Sequence, residues 1–291
     1  VELLLMHPLA DYASPDICRI WTPEWNHAIE RDWWVRILHW LAANTEVYDH
    51  IDDLDGKVGA YRDILAEDID LDAIHLRELR TKHDVKARIE EFNDRASRRY
   101  YNDLNGQEIR PSERESLELI HWGMTSADVV DNVSLIKINE SLNWLWKLLQ
   151  VDDGPAEPLI YALNLLPLRG LQGPVGTQQD LLDLIGDQAK IDELNLHLAA
   201  HYGFSDRVMN SVGQVYPRSL DLMVASYVLS AVGLINSSRP WWPILRGYFH
   251  MIAEYSGDQW NEGDVSTSVT RRVALPGLFL AADCALREVE P

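Results

Sequence analysis

Two histidines in this sequence stand among hydroxyls, carboxylates and cations at spacings that suit anion binding and proton transfer. His121 opens the run His121-Trp122-Gly123-Met124-Thr125-Ser126-Ala127-Asp128, and His83 lies inside Thr81-Lys82-His83-Asp84. In the first run Gly123 allows a tight turn, Thr125 is a good helix N-cap, and Asp128 follows it as in a capping box. A helix starting there presents free N–H groups and a positive dipole end, to which the Thr125 and Ser126 hydroxyls add donors. A carboxylate or phosphate is the expected guest. The second run repeats the pattern, with Val85, Ile89 and Phe92 continuing at helical spacing. It places His83 in a first turn, where the dipole keeps an imidazole neutral. A neutral histidine at either place can orient a carboxylate or move a proton, and the same placement also serves a plain hydrogen bond to backbone. A third Thr-x-x-Asp start, Thr177 to Asp180, follows a glycine-rich link from Gly170. That link has no P-loop lysine and follows no strand.

Other candidates are less specific. His197 and His201 share a helix face, but Leu198, Ala199 and Ala200 between them supply no third metal ligand, so no metal is expected. Arg271-Arg272 behind Ser266, Thr267 and Ser268 suits a phosphate, and equally suits a solvated basic turn. Arg98-Arg99 reads as a solvated helix end, and Trp33, Trp34, Trp144 and Trp146 as packing.

The elements that must position these groups read as helices. Thr22-Pro23-Glu24 is an N-cap, an N1 proline and an acidic first turn, and Ile29, Trp33, Ile37 and Leu41 recur on one face beyond it. The segment from about 45 to 67 is expected to be helical although Gly56 and Gly59 weaken it. A short helix is expected between Pro111 and the His121 run. Beyond that run, Val129, Val133, Ile136, Ile138, Leu142, Leu145 and Leu149 hold helical spacing to about Gln150, where Gly154, Pro155 and Pro158 break it. Further helices are expected to open at Pro217, at Pro240 or Pro243, and at Pro276, with Asn261 to Arg272 a polar loop. No alternating pattern competes, so the expected class is all-α.

Composition limits the partners. The formal net charge of −20 argues against a binder of nucleic acid or of an anionic membrane, both of which need a basic face. The apolar content of 46% argues against disorder. Cys18 and Cys284 form neither a disulfide framework nor a thiolate metal site, which fits a reducing cytoplasm. No apolar run approaches the ~18 residues of a membrane span. The chain opens on Val1, which fits a trimmed start.

Several stretches, taken together and in order, resemble the adenylosuccinate lyase family of the fumarase/aspartase superfamily, with a flavour similar to actinobacterial members. They are Tyr12 to Ser14 through Ile20 to Glu24, Thr81 to Phe92, the His121 run, Gly173 to Thr177, Gly213 to Asp221 and Gly257 to Pro276. The resemblance implies β-elimination of fumarate from adenylosuccinate and from the succinyl-carboxamide purine intermediate, without metal or organic cofactor. It implies an N-terminal helical domain over 1–110, a long-helix bundle over 111–291 and a homotetramer. By motif, His83 and His121 would be the catalytic histidines, and Tyr12, Lys82 and Asp84 would line the nucleotide site. Thr125 and Ser126 would hold the succinyl carboxylate, Gln214 and Arg218 would serve the substrate, and Ser268 with Arg272 would take the phosphate.

The chain also departs from that pattern. The family's general-acid histidine segment, expected after Gln150, is replaced by a short acidic, proline-containing link, and the serine-bearing mobile loop expected between Leu234 and Arg246 is passed over. The family's C-terminal helical domain is expected to be absent. The expected function is therefore that of a shortened lyase-like chain, and the alternative is a catalytically silent nucleotide-binding or helical assembly protein.

Overall fold

Trp33, Trp34, Ile37, Leu38 and Leu41 are all buried in the core, as the stripe beyond Thr22 requires. They belong to α2 (Pro23–Asn44), whose first turn is closed by Thr22 Oγ1 accepting from the Trp25 N–H at 3.2 Å. The structure is a computed structural model that describes residues 7–105, 117–151, 155–174, 176–209, 216–235, 240–259 and 266–287. On α2 pack α1 (Pro15–Ile20) and α3 (Leu54–Asp63) with a 3-10 turn at Ile64–Ala66, ion pairs join it to α5 (Asp84–Asn105), and α4 (Leu71–Thr81) packs on α5. The long helix α6 (Ser126–Val151) buries all seven positions of the stripe from Val129 to Leu149. Each such side chain stabilises the fold by roughly 1.5–3 kcal/mol relative to exposure.

Helix α6 packs on α1 and α2 and on α7 (Glu157–Leu165), and it also meets α12 (Ser266–Arg287). Shorter helices α8 (Gln179–Ile185) and α9 (Gln188–His201) follow the glycine-rich link, and α10 (Ser219–Ile235) and α11 (Trp241–Tyr255) pack with α12. A two-residue antiparallel pair, β1 (Tyr216–Pro217) with β2 (Asp258–Gln259), is the one named sheet among the described residues. The class is all-α.

Several local expectations are corrected. The segment from about 45 is helical only from Leu54, and α4, begun by Asp70 accepting from the Ala73 N–H at 2.9 Å, was not foreseen. Thr81 ends α4 instead of capping α5, and Thr177 does not cap α8, which starts after Gln178 at φ +61°. Pro217 lies in β1, with α10 beginning two residues later. The short helix expected after Pro111 falls mostly outside the described residues; 117–119 are not helical.

The largest correction concerns α12, which starts at Ser266 and runs through Pro276, so that Ser266 to Arg272 is helix and not loop. An internal proline costs a helix about 3 kcal/mol, but every residue from Ala274 to Leu286 is buried, and that burial outweighs the cost. Next to the proline, Gly277 leaves room for the Tyr248 ring, whose Cε1 lies 2.3 Å from where a Cβ would stand.

Candidate functional site

The start of α6 is capped by the carboxylate that its sequence announces. The Thr125 N–H donates to Asp128 Oδ2 at 3.0 Å, and the backbone before it turns through His121 at φ +70° and Gly123 at φ +68°. A positive φ is costly for histidine, so its surroundings must hold it there. They do so through Trp34, whose Nε1–H donates to His121 Nδ1 at 3.2 Å and whose ring meets the imidazole edge-on. Burial pushes the His121 pKa down to about 4, helped by His83 and opposed by the Asp128 charge, so the ring is neutral at pH 7.

Asp128 does more than cap. It is fully buried, and it also accepts from the Gln172 N–H at 2.9 Å, the Gly173 N–H at 3.0 Å and the Arg169 guanidinium. One turn on, Asn132 accepts from the Gly170 N–H at 2.9 Å and donates to its carbonyl at 2.9 Å. The glycine-rich link is thereby tied to the first turns of α6.

The second motif comes to the same place. His83 is the residue before α5, and its Nδ1 accepts from the Lys86 N–H at 3.2 Å, which leaves Nε2 as the ring's donor. That Nε2 lies 3.4 Å from Ser126 Oγ. Lys82, exposed at φ +55°, closes the C-terminus of α4. Asp84 accepts from the Val85 N–H at 2.8 Å and faces Arg88 at 3.2 Å and Arg272 at 3.5 Å. Burial raises the Asp84 pKa, but Arg88, the Val85 hydrogen bond, Arg272 and His83 together hold it below the ordinary value.

The structure thus gathers Lys82, His83, Asp84, His121, Thr125, Ser126 and Arg272. Ser268 lies in the first turn of α12, half-buried and one helical turn before Arg272. Tyr12 is 63% exposed, with its ring edge-on to Trp241 of α11. Gln214 lies outside the described residues. Arg218 turns to Asp131 at 3.0 Å and to Gln259 at 3.0 Å. Arg271, which the sequence leaves open between a phosphate partner and a solvated basic turn, is neither: it is buried against Asp221 at 2.6 Å and Asp131 at 3.4 Å. Neighbouring helical residues point about 100° apart, so one arginine faces inward and the other outward.

Sequence reasoning missed the carboxylates that hold these arginines. Asp131 lies on the inner face of α6 and Asp221 on that of α10, and a carboxylate on each otherwise apolar face was the available signal. His201 faces Asp32 at 3.8 Å, and among the described residues no group of three or more His, Cys, Asp or Glu could hold a metal. A groove of about 410 Å³ beside α5 is lined by Arg77, Arg95, Arg98 and Arg99 with Glu67, Asp70, Glu91 and Asp94, and shares no residue with the site. No helix among the described residues is long and apolar enough to cross a membrane.

The fold is shared with the solved structures of two enzymes. It matches β-carboxy-cis,cis-muconate cycloisomerase from Acinetobacter calcoaceticus sp. ADP1 with a TM-score of 0.68, at 12% identity over 96% of this chain and 75% of that one. It matches a fumarate lyase from Mesorhizobium sp. BNC1 with a TM-score of 0.63, at 11% identity over 95% and 74% of the two chains.

In sequence the chain is similar to the adenylosuccinate lyase of Schistosoma mansoni, 25% identical over 338 aligned positions that cover 87% of this chain and 66% of that protein. It is similar to the adenylosuccinate lyase of Schizosaccharomyces pombe, 24% identical over 268 positions that cover 75% and 52%. The chain therefore spans roughly half to two-thirds of the length of these relatives. No protein-family model matches the sequence.

Proposed function

We propose that the chain is an adenylosuccinate lyase-like protein whose site takes a succinyl-purine nucleotide. The observation that carries this reading is the meeting of His83 Nε2 with Ser126 Oγ at 3.4 Å, which joins two motifs 43 residues apart beside a neutral His121. In this reading Thr125 and Ser126 hold the succinyl carboxylate, and Arg272 with Ser268 takes the phosphate. Lys82, Asp84, Tyr12 and Gln214 line the nucleotide, with Arg218 in support. The reaction is β-elimination: a base removes a proton from the carbon next to the one that bears the leaving nitrogen, the C–N bond breaks as that electron pair forms the double bond of fumarate, and an acid protonates the nitrogen. The proposal includes a helical domain over 1–110 followed by a bundle domain, a cytoplasmic setting, and a homo-oligomer of the family's tetrameric kind.

Ultraviolet monitoring of adenylosuccinate cleavage tests it. Turnover that is lost in both His83→Ala and His121→Ala supports the reading, and no turnover at high protein concentration refutes the lyase activity.

A specific observation favours a second reading, a catalytically silent nucleotide binder. Only five residues, 152–156, separate α6 from α7, and only 236–240 separate α10 from α11, the two places where the family resemblance calls for the acid and base segments. The alignment with the Schistosoma protein is longer than this whole chain, which fits segments that the relative has and this chain lacks. Calorimetry with AMP separates the cases: binding without turnover supports the silent binder, and no binding removes the nucleotide role altogether.

A further inference from the structure

Behind the candidate site lies a buried network of three carboxylates and three guanidinium groups. Asp131 faces Arg218 at 3.0 Å, Arg271 at 3.4 Å and Arg169 at 4.0 Å. Asp128 takes Arg169, and Asp221 grips Arg271 through two hydrogen bonds, at 2.6 and 3.2 Å. None of the six side chains is more than 12% exposed. The charges balance, which is how buried ions are tolerated. Burial raises the Asp131 pKa, but the Arg218, Arg271 and Arg169 charges win and keep it an anion.

The network joins elements far apart in sequence. Asp128 and Asp131 come from the first turns of α6, Arg169 from the link beyond α7, Asp221 from α10 and Arg271 from α12. Gln259 in β2 adds a latch, since its Oε1 accepts from Arg218 Nε at 3.0 Å and from Thr267 Oγ1 at 3.1 Å. Positions 267 and 271 thus face inward on α12, four residues apart, while Ser268 and Arg272 follow each of them by one residue and share the adjacent face. Whatever sets the rotation of the first turns of α12 sets where Arg272 and Ser268 stand.

We propose that Asp131 is a positioning residue: by drawing Arg218 and Arg271 to one buried carboxylate, it fixes the first turns of α12 against the start of α6. The distance between the hydroxyls of α6 and the cation of α12 is thereby set, and with it the span of a ligand carrying an anionic group at each end. The inference rests on the proposed nucleotide reading for its ligand, and on the network alone for its geometry. Asp131 touches no ligand in this scheme, and Arg218 acts through it.

Asp131→Asn tests this, with the charge-balanced pair Asp131→Asn/Arg271→Gln as the second variant should the single change fail to fold. Two readouts are taken on folded protein: amide hydrogen exchange over residues 266–272, and the affinity for AMP relative to adenosine. Exchange in 266–272 is expected to rise about tenfold more than in the buried half of α12, the scale of one hydrogen bond to a charged group. The AMP preference over adenosine is expected to fall about tenfold while adenosine binding holds, because only the phosphate partner has moved. Unchanged exchange in 266–272, or an equal loss for AMP and adenosine, overturns the inference. A native protein that does not prefer AMP overturns the nucleotide reading instead, and the exchange measurement then decides the positioning role by itself.

Discussion

Asp128→Asn removes one charge and almost no volume, and its consequence can be worked from the contacts. The carboxylate is fully buried and accepts from three backbone N–H groups, those of Thr125, Gln172 and Gly173, and from Arg169, whose side chain is 3% exposed. The asparagine keeps one oxygen for the backbone donors but leaves the Arg169 cation buried without this anion. Breaking a buried pair from one side costs about 3–5 kcal/mol. At about 2–4 °C per kcal/mol for chains of somewhat smaller size, the melting temperature should fall by roughly 6–20 °C.

Urea denaturation read by tryptophan fluorescence gives the free-energy loss, and the double change Asp128→Asn/Arg169→Met supplies the control. Removing both charges is far cheaper than removing one, so the double variant should recover at least ~1 kcal/mol of the single variant's loss. A single-variant loss below ~1 kcal/mol, or a double variant no better than the single, refutes the view that Asp128 and Arg169 clip the glycine-rich link to α6.

Four further outcomes follow from the same geometry. His121 has its folded pKa depressed to about 4 from 6.5, so the unfolded chain binds more protons between those values and stability should fall as pH drops through that window. His121→Asn, which tolerates the positive φ, should flatten that part of a melting-temperature profile, and an unaltered slope contradicts it. Lys137 is buried with its pKa lowered to about 8 by desolvation, a cost to folding at pH 7 that fades as pH rises above 8. Lys137→Met should therefore raise the melting temperature at pH 7 and lose that advantage by pH 10, despite the hydrogen bond to Asn26 at 3.0 Å. Gly277→Ala puts a methyl group into the Tyr248 ring and should destabilise by about 1–3 kcal/mol in urea melts, with Tyr248→Leu restoring part of the loss. Thr22→Ala should cost about 1 kcal/mol through the lost cap of α2, and no change would deny the cap its role.

How much of this was legible depends on whether a residue's role is local. The stripes of α2 and α6, the cap at Thr22 and the Asp128 carboxylate that caps α6 are written within a few residues, and the fold uses them as read. Thr81 and Thr177 carry the same signal and do not cap, because Lys82 and Gln178 take left-handed conformations that place the helix starts further on. The start of α12 was hidden by Pro276, since a proline reads as a helix opening and only the burial of Ala274 to Leu286 explains its interior position. The split between Arg271 and Arg272 was illegible for another reason: which neighbour faces inward depends on Asp131 and Asp221, 140 and 50 residues earlier. Long-range charge pairing leaves no mark at short spacing.

Pro276 has one more consequence. A proline has no N–H to give the carbonyl four residues back, and that carbonyl belongs to Arg272. The hydrogen-bond ladder of α12 is therefore interrupted at the residue whose guanidinium reaches Asp84. Beyond the break the helix is an anchor set in apolar packing; before it, the helix is a lever held by ionic fastenings. Dilute denaturant should loosen the lever before it frees the anchor, giving one helix two separate protection values.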